Sequence, residues 1–146
     1  MIGALFVLIA ASTTGWYVDA AFASSSSSPP SFTISGDLDV PLSPGAGQPV
    51  DLTFTNRSSS ALTIAPGAVT ITISTSRPTC SASANFAVTR GLTIGVTIPA
   101  HAPGVSLSAL GIAPRGWPIV SMIQTDTNQD ACKGVTLALR YAARAT

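Results

Sequence analysis

One stretch concentrates the polar chemistry of this chain. "QTDTNQDACKG", residues 124–134, holds Asp126, Asn128, Asp130, Cys132 and the sole lysine, Lys133. Oxygen-bearing side chains at the alternate positions Asp126, Asn128 and Asp130 imitate the first half of a calcium loop. The second half is missing. An EF-hand loop starting at Asp126 needs glycine where the chain has Ala131 and a closing bidentate acid where it has Leu137. A looser cation site would have to recruit Asp37 or Asp39, so these three residues form only a weak metal candidate. The competing reading is that Asp126 and Asn128 make Asx-turns that reverse the chain and bring Cys132 to the start of a strand.

The other residues capable of chemistry are scattered. His101, in "PAHAPG", is the one side chain able to act as a base near neutral pH without a large shift. Serines are many, but no G-x-S-x-G elbow brings one to that histidine, and a histidine between prolines reads as a solvated turn residue. Glycosidase chemistry would rest on aspartates alone, and nothing in the sequence pairs them. No catalytic residue is therefore assigned, and an enzyme is the least favoured reading. Trp117, in "PRGWPI", is the possible ligand contact: it either plugs one end of the fold or offers a platform on which a sugar ring or partner stacks. Asn56-Arg57-Ser58 matches a glycosylation sequon.

Composition sets the boundaries for these sites. The chain has 146 residues, of which 9% are charged, against a usual value of about 25%. It contains no glutamate, and its net charge is +1. Six dispersed arginines form no basic stripe, which argues against nucleic acid as a partner. Two cysteines without a C-x-x-C and a single histidine give no zinc module, and no cofactor is implied. A surface so poor in charge must be covered by Ser, Thr, Ala and Gly.

The first segment points out of the cytoplasm. Residues 1–18 are uncharged and most apolar over 2–11, and "AFA" at 21–23 offers the small-x-small pattern for cleavage after Ala23. A retained anchor is the alternative, with Trp16 and Tyr17 placed at the membrane interface. Residues 1–23 are thus a signal peptide or membrane anchor, the only part expected to touch a membrane. "SSSSSPP" then begins a Ser/Pro linker over residues 24–31. Both versions give a secreted or surface-anchored, extracytoplasmic domain over residues 32–146.

That domain reads as strands. Alternation places Val50, Leu52 and Phe54 on one face, then Val69, Ile71 and Ile73, then Leu92, Ile94, Val96 and Ile98, and finally Val135, Leu137, Leu139 and Tyr141. Weaker strands are expected over 32–38, 61–64, 85–89, 105–110 and 119–123. Turn signals separate them: "PLSPGAGQP", "NRSSS", "APG", "SRPTC", "PAHAPG" and "APRGWP". The spacing predicts an all-β, antiparallel sandwich of seven to nine strands. Cys80 follows one strong strand through "SRPT" and Cys132 shortly precedes another. In an oxidising compartment two such thiols pair, which predicts a Cys80–Cys132 disulfide; an intermolecular bridge is the rival.

Two stretches resemble known proteins. "LSPGAGQPVDLTFTNRSSSALTI" is similar to the opening of many bacterial immunoglobulin-like surface domains. "NQDACKGVTLALRYAARA" resembles the C-terminal end of a group of uncharacterised exported proteins of actinobacteria, which have an N-terminal membrane segment, a small-residue linker and one β-sandwich. The resemblance implies an immunoglobulin-like sandwich at the cell surface and no activity. The expectation is a non-catalytic surface or envelope module that contacts an envelope protein or polysaccharide. The alternative is a carbohydrate-binding module that uses Trp117.

Overall fold

The computed structural model describes residues 31–146 and, as backbone alone, residues 17–19. The strands are β1 (Tyr17–Asp19), β2 (Phe32–Ser35), β3 (Gly47–Pro49), β4 (Thr53–Asn56), β5 (Leu62–Thr75), β6 (Phe86–Arg90), β7 (Val96–Ile98), β8 (Ala102–Ser106), β9 (Ile119–Met122) and β10 (Leu137–Ala145). A single-turn helix, α1 (Ala82–Asn85), and two 3-10 turns, Pro114–Gly116 and Asp130–Cys132, interrupt them. The rest of the expected leader, its Ala23 cleavage point and the Ser/Pro tract to residue 30 lie outside the described residues. No helix among the described residues is long and apolar enough to cross a membrane.

Three sheets form, in the orders β1-β10-β5-β7, β2-β4-β8 and β3-β9-β6. The pairings between named strands are antiparallel except the short parallel match of β1 to β10, and an isolated bridge from Pro44 to Met122 is also parallel. Their inner faces meet on one core that includes Ile34, Phe54, Val120, Leu137, Leu139 and Tyr141, each at most 1% exposed. Burying a side chain of this kind contributes about 1.5–3 kcal/mol, so the sandwich-like arrangement rests on these aliphatic and aromatic faces.

The alternation of Val50, Leu52 and Phe54 survives a change of sheet. The Val50 N–H donates to the Pro118 carbonyl at 2.9 Å, beside β9, whereas the Leu52 carbonyl accepts from the Leu107 N–H at 2.9 Å, just past β8. Residues 47–56 therefore run as one extended segment from the third sheet into the second, and all three apolar side chains are fully buried. The face at Val135, Leu137, Leu139 and Tyr141 is likewise buried throughout.

Four details differ from the sequence reading. "APG" does not reverse the chain. Residues 62–64 and 69–75 belong to one 14-residue β5, with Ala65, Pro66 and Gly67 as a bulge: Ala143 pairs with Val69, and Ala145 pairs already with Ile64. Gly67 sits at φ +72°, a conformation that costs glycine little, and its N–H donates to the Leu92 carbonyl at 2.7 Å. Second, Ile94 is 37% exposed, while Leu92, Val96 and Ile98 are buried. Residues 91–95 leave the sheet because the Thr93 N–H is taken by the Gly116 carbonyl at 3.1 Å, which draws Ile94 across the 114–116 turn. Third, "PLSPGAGQP" contains β3, whose edge position tolerates Pro49. Fourth, the strand expected over 105–110 is shifted to Ala102–Ser106, and a turn follows it.

Candidate functional site

The polar stretch that drew attention in the sequence lines a cleft of about 760 Å³. Local wiring positions it first. The Cys80–Cys132 disulfide joins the end of the β5 connection to the Asp130–Cys132 turn, with the two Cα atoms 4.9 Å apart and both residues buried. One backbone bond and one side-chain bond then bind the same loop to the same strand end: Ser76 N–H donates to the Thr136 carbonyl at 2.9 Å, and the Ser76 Oγ accepts from Thr136 N–H at 3.1 Å. Arg77 Nη1 donates to the Lys133 carbonyl at 3.0 Å.

The other end of the loop is tied through an amide. Gln129 Nε2 donates to Asn85 Oδ1 at 2.8 Å and to the Ile123 carbonyl at 2.9 Å, while the Ile123 N–H donates to the Asn85 carbonyl at 2.8 Å. Asn85 ends α1, so the helix anchors the loop. Across the cleft, the Gly45 N–H donates to the Met122 carbonyl and the Met122 N–H to the Ala46 carbonyl, both at 2.9 Å. The left-handed conformation of Gly45, φ +77°, turns residues 41–46 against the end of β9.

Between these walls the floor is apolar. Phe86, Met122, Cys132 and Val135 are each no more than 7% exposed, and Leu42 is half-buried beside them. The rim is neutral and polar, with Gln124, Thr125, Thr127 and Thr136. Its two charges neutralise one another: Lys133 Nζ lies 2.6 Å from Asp130 Oδ1, both side chains being largely exposed. The Lys133 ammonium, together with the Asn128 contact, holds the Asp130 carboxyl below the usual carboxylate range.

Two of the three oxygen-bearing side chains of the calcium-like pattern make contacts within the turn itself. Asn128 Oδ1 accepts from the Asp130 N–H at 2.7 Å, an Asx-turn, and Asp130 is engaged by Lys133. Asp126, although exposed, is not among the residues that line the cleft. Among the described residues no group of three or more His, Cys, Asp or Glu is placed to hold a metal ion.

Trp117 stands apart from the cleft. It is half-buried against the core, its indole Nε1 donates to the Ile112 carbonyl at 2.8 Å, and its own carbonyl accepts from Arg90 Nε at 3.0 Å. These contacts fasten the 112–117 turn. His101 is exposed at φ +55° and borders a smaller hollow of about 330 Å³ with Thr55, Asn56 and Arg57. Beside it, Asn56 is fully buried and makes four hydrogen bonds. Its Nδ2 donates to the Ser60 and Pro99 carbonyls, and its Oδ1 accepts from the N–H and Oγ of Ser58. The sequon asparagine is thus a structural tie whose amide is fully occupied.

Sequence reasoning reached one side of the cleft and missed the other. Leu42, Phe86 and Met122 come from distant segments whose apolar side chains look like ordinary core positions. Asn85 and Gln129 gave no signal beyond polarity at an element boundary. Compared with protein-family models, with curated proteins and with solved structures, the chain shows no match to any of them.

Proposed function

We propose that this protein is an extracytoplasmic, non-catalytic module of immunoglobulin-like sandwich architecture that binds an envelope component through the cleft beside Cys132. The observation that carries the reading is the cleft itself. Its volume falls within the range of roughly 300–1,000 Å³ usual for ligand sites, and a loop tied at both ends preorganises one wall. The disulfide is compatible with life outside the cytoplasm, where such bonds persist. A binding role suits the lining, which offers apolar contact and neutral hydrogen-bonding groups, with Asp130 already paired to Lys133. The carbohydrate reading built on Trp117 has less support, because that indole is half-buried and its N–H is already satisfied.

A photo-crosslinking residue placed at Gln124, on the cleft rim, tests this in intact cells of the native host, with the exposed β5 position Thr70 as control. The reading predicts an adduct from position 124 and none from 70, on protein reached by a membrane-impermeant label. Equal or absent adducts at both positions, or protein shielded from the label in the cytoplasm, would overturn it.

A further inference from the structure

We infer that the cleft beside Cys132 takes an uncharged, lipid-like amphiphile, with its apolar body against Pro41, Leu42 and Pro44 above the closed Phe86–Met122–Val135 floor and a hydroxyl- or amide-bearing head at the Gln124–Thr127 rim. The inference rests on the proposed binding role and adds the chemical class of the ligand.

Three observations define that class. The floor side chains Phe86, Met122 and Val135 are closed off by the core at 5%, 6% and 4% exposure, so the apolar surface open to a ligand comes from half-buried Leu42 and exposed Pro41 and Pro44 above them, none of which carries a hydrogen-bonding side chain. A sugar laid on this surface would lose hydration around its hydroxyls without replacement partners, whereas an alkyl, prenyl or aromatic body gains contact there. Second, charge is balanced at the mouth. Asp130 and Lys133 pair at 2.6 Å and are 62% and 79% exposed, so their charges offset one another and the mouth carries no net charge to select an anionic or cationic body. Placing an uncompensated charge in such a site is unfavourable. Third, the polar groups of the rim are amides and hydroxyls, Gln124, Thr125, Thr127 and Thr136, which donate and accept without selecting a charge.

The test uses the full chain and two fluorescent probes of similar shape, neutral N-phenylnaphthylamine and anionic anilinonaphthalene sulfonate, with monoolein as competitor. The inference predicts saturable binding of the neutral probe and its displacement by monoolein. It also predicts affinity weakened on the order of tenfold or more by Thr127→Trp or Gln124→Trp, which fill the mouth from exposed positions, and unchanged by Thr70→Trp. Asp130→Asn frees Lys133 and should improve the anionic probe relative to the neutral one. Stronger binding of the anionic probe to the unmodified chain would overturn the ligand class. So would saturable binding that both mouth variants retain, or no binding of either probe. If the Gln124 photo-adduct forms on cells while the neutral probe fails, only the ligand class falls and the binding role stands.

Discussion

Replacing Cys80 and Cys132 together by alanine removes the staple without leaving a free thiol. The cysteines are separated by 52 positions, and the chain-entropy treatment of a loop of that length gives about 4 kcal/mol of stabilisation. That is a large share of the roughly 5–15 kcal/mol that holds a domain folded. For a domain of this size about 1 kcal/mol moves the melting temperature by roughly 3–5 °C, so the double variant should melt roughly 12–20 °C lower. The loop has other anchors: the reciprocal Ser76–Thr136 bonds, Arg77 on the Lys133 carbonyl and Gln129 on Asn85. Each contributes about 0.5–1.5 kcal/mol and survives the substitution, so at low temperature the variant should keep its fold and its cleft. Thermal unfolding followed by circular dichroism, beside intact-mass measurement of the unmodified protein before and after reduction, reads both points. The reasoning fails if the variant melts within a few degrees of the parent, or if both thiols of freshly exported native protein alkylate without reduction.

Three further outcomes follow from particular contacts. Asn56→Asp turns a donor toward the Ser60 and Pro99 carbonyls into a buried acceptor, and should cost about 3 kcal/mol or more at neutral pH by denaturant titration. The loss should shrink at acid pH, where the introduced carboxyl is protonated. Burial, with a smaller push from Asp39, holds the Asp37 carboxyl above its usual value despite the Leu38 N–H bond. The folded state therefore favours the protonated form, and that stabilisation is present below the ordinary carboxylate pKa and lost as pH rises through the raised value. Asp37→Asn, which can keep the bond to Leu38, should raise the melting temperature at pH 7 and leave it unchanged in acid; equal melting at both pH values would remove the argument. Calcium at millimolar concentration should leave the melting temperature unaltered, because Asn128 and Asp130 are spent within the turn; a chelator-reversible rise would show a cation site in the loop.

Much of this architecture was legible because half-buried strands impose a two-residue period. Val135, Leu137, Leu139 and Tyr141 alternate cleanly, and all four are buried. The disulfide was legible for a different reason, since two cysteines at strand ends allow one intramolecular pairing. Ile94 shows the limit. Its place in an alternating run is overridden by a hydrogen bond from Thr93 to Gly116, a contact between segments with no local signature. "APG" misleads similarly, because a bulge in a long strand and a reversal between two short ones use the same residues. The polar stretch announced half of the cleft. Its floor did not show, because Phe86 and Met122 look like core side chains until residues 41–46 are folded over the end of β9.

The central claim is that the cleft beside Cys132 is occupied by an envelope component, and Met122 offers the most direct view of it. The chain contains two methionines, Met1 and Met122, and Met122 lies on the cleft floor. With methionine methyl groups labelled with carbon-13, Met122 serves as an internal reporter in the cleft. Titration with organic-soluble and aqueous envelope fractions should shift the Met122 methyl resonance saturably with the organic-soluble fraction, while the Trp117 indole N–H stays in place. A Met122 signal unmoved by every fraction, with the Trp117 signal shifting in the aqueous one, would contradict the account and return the binding surface to Trp117.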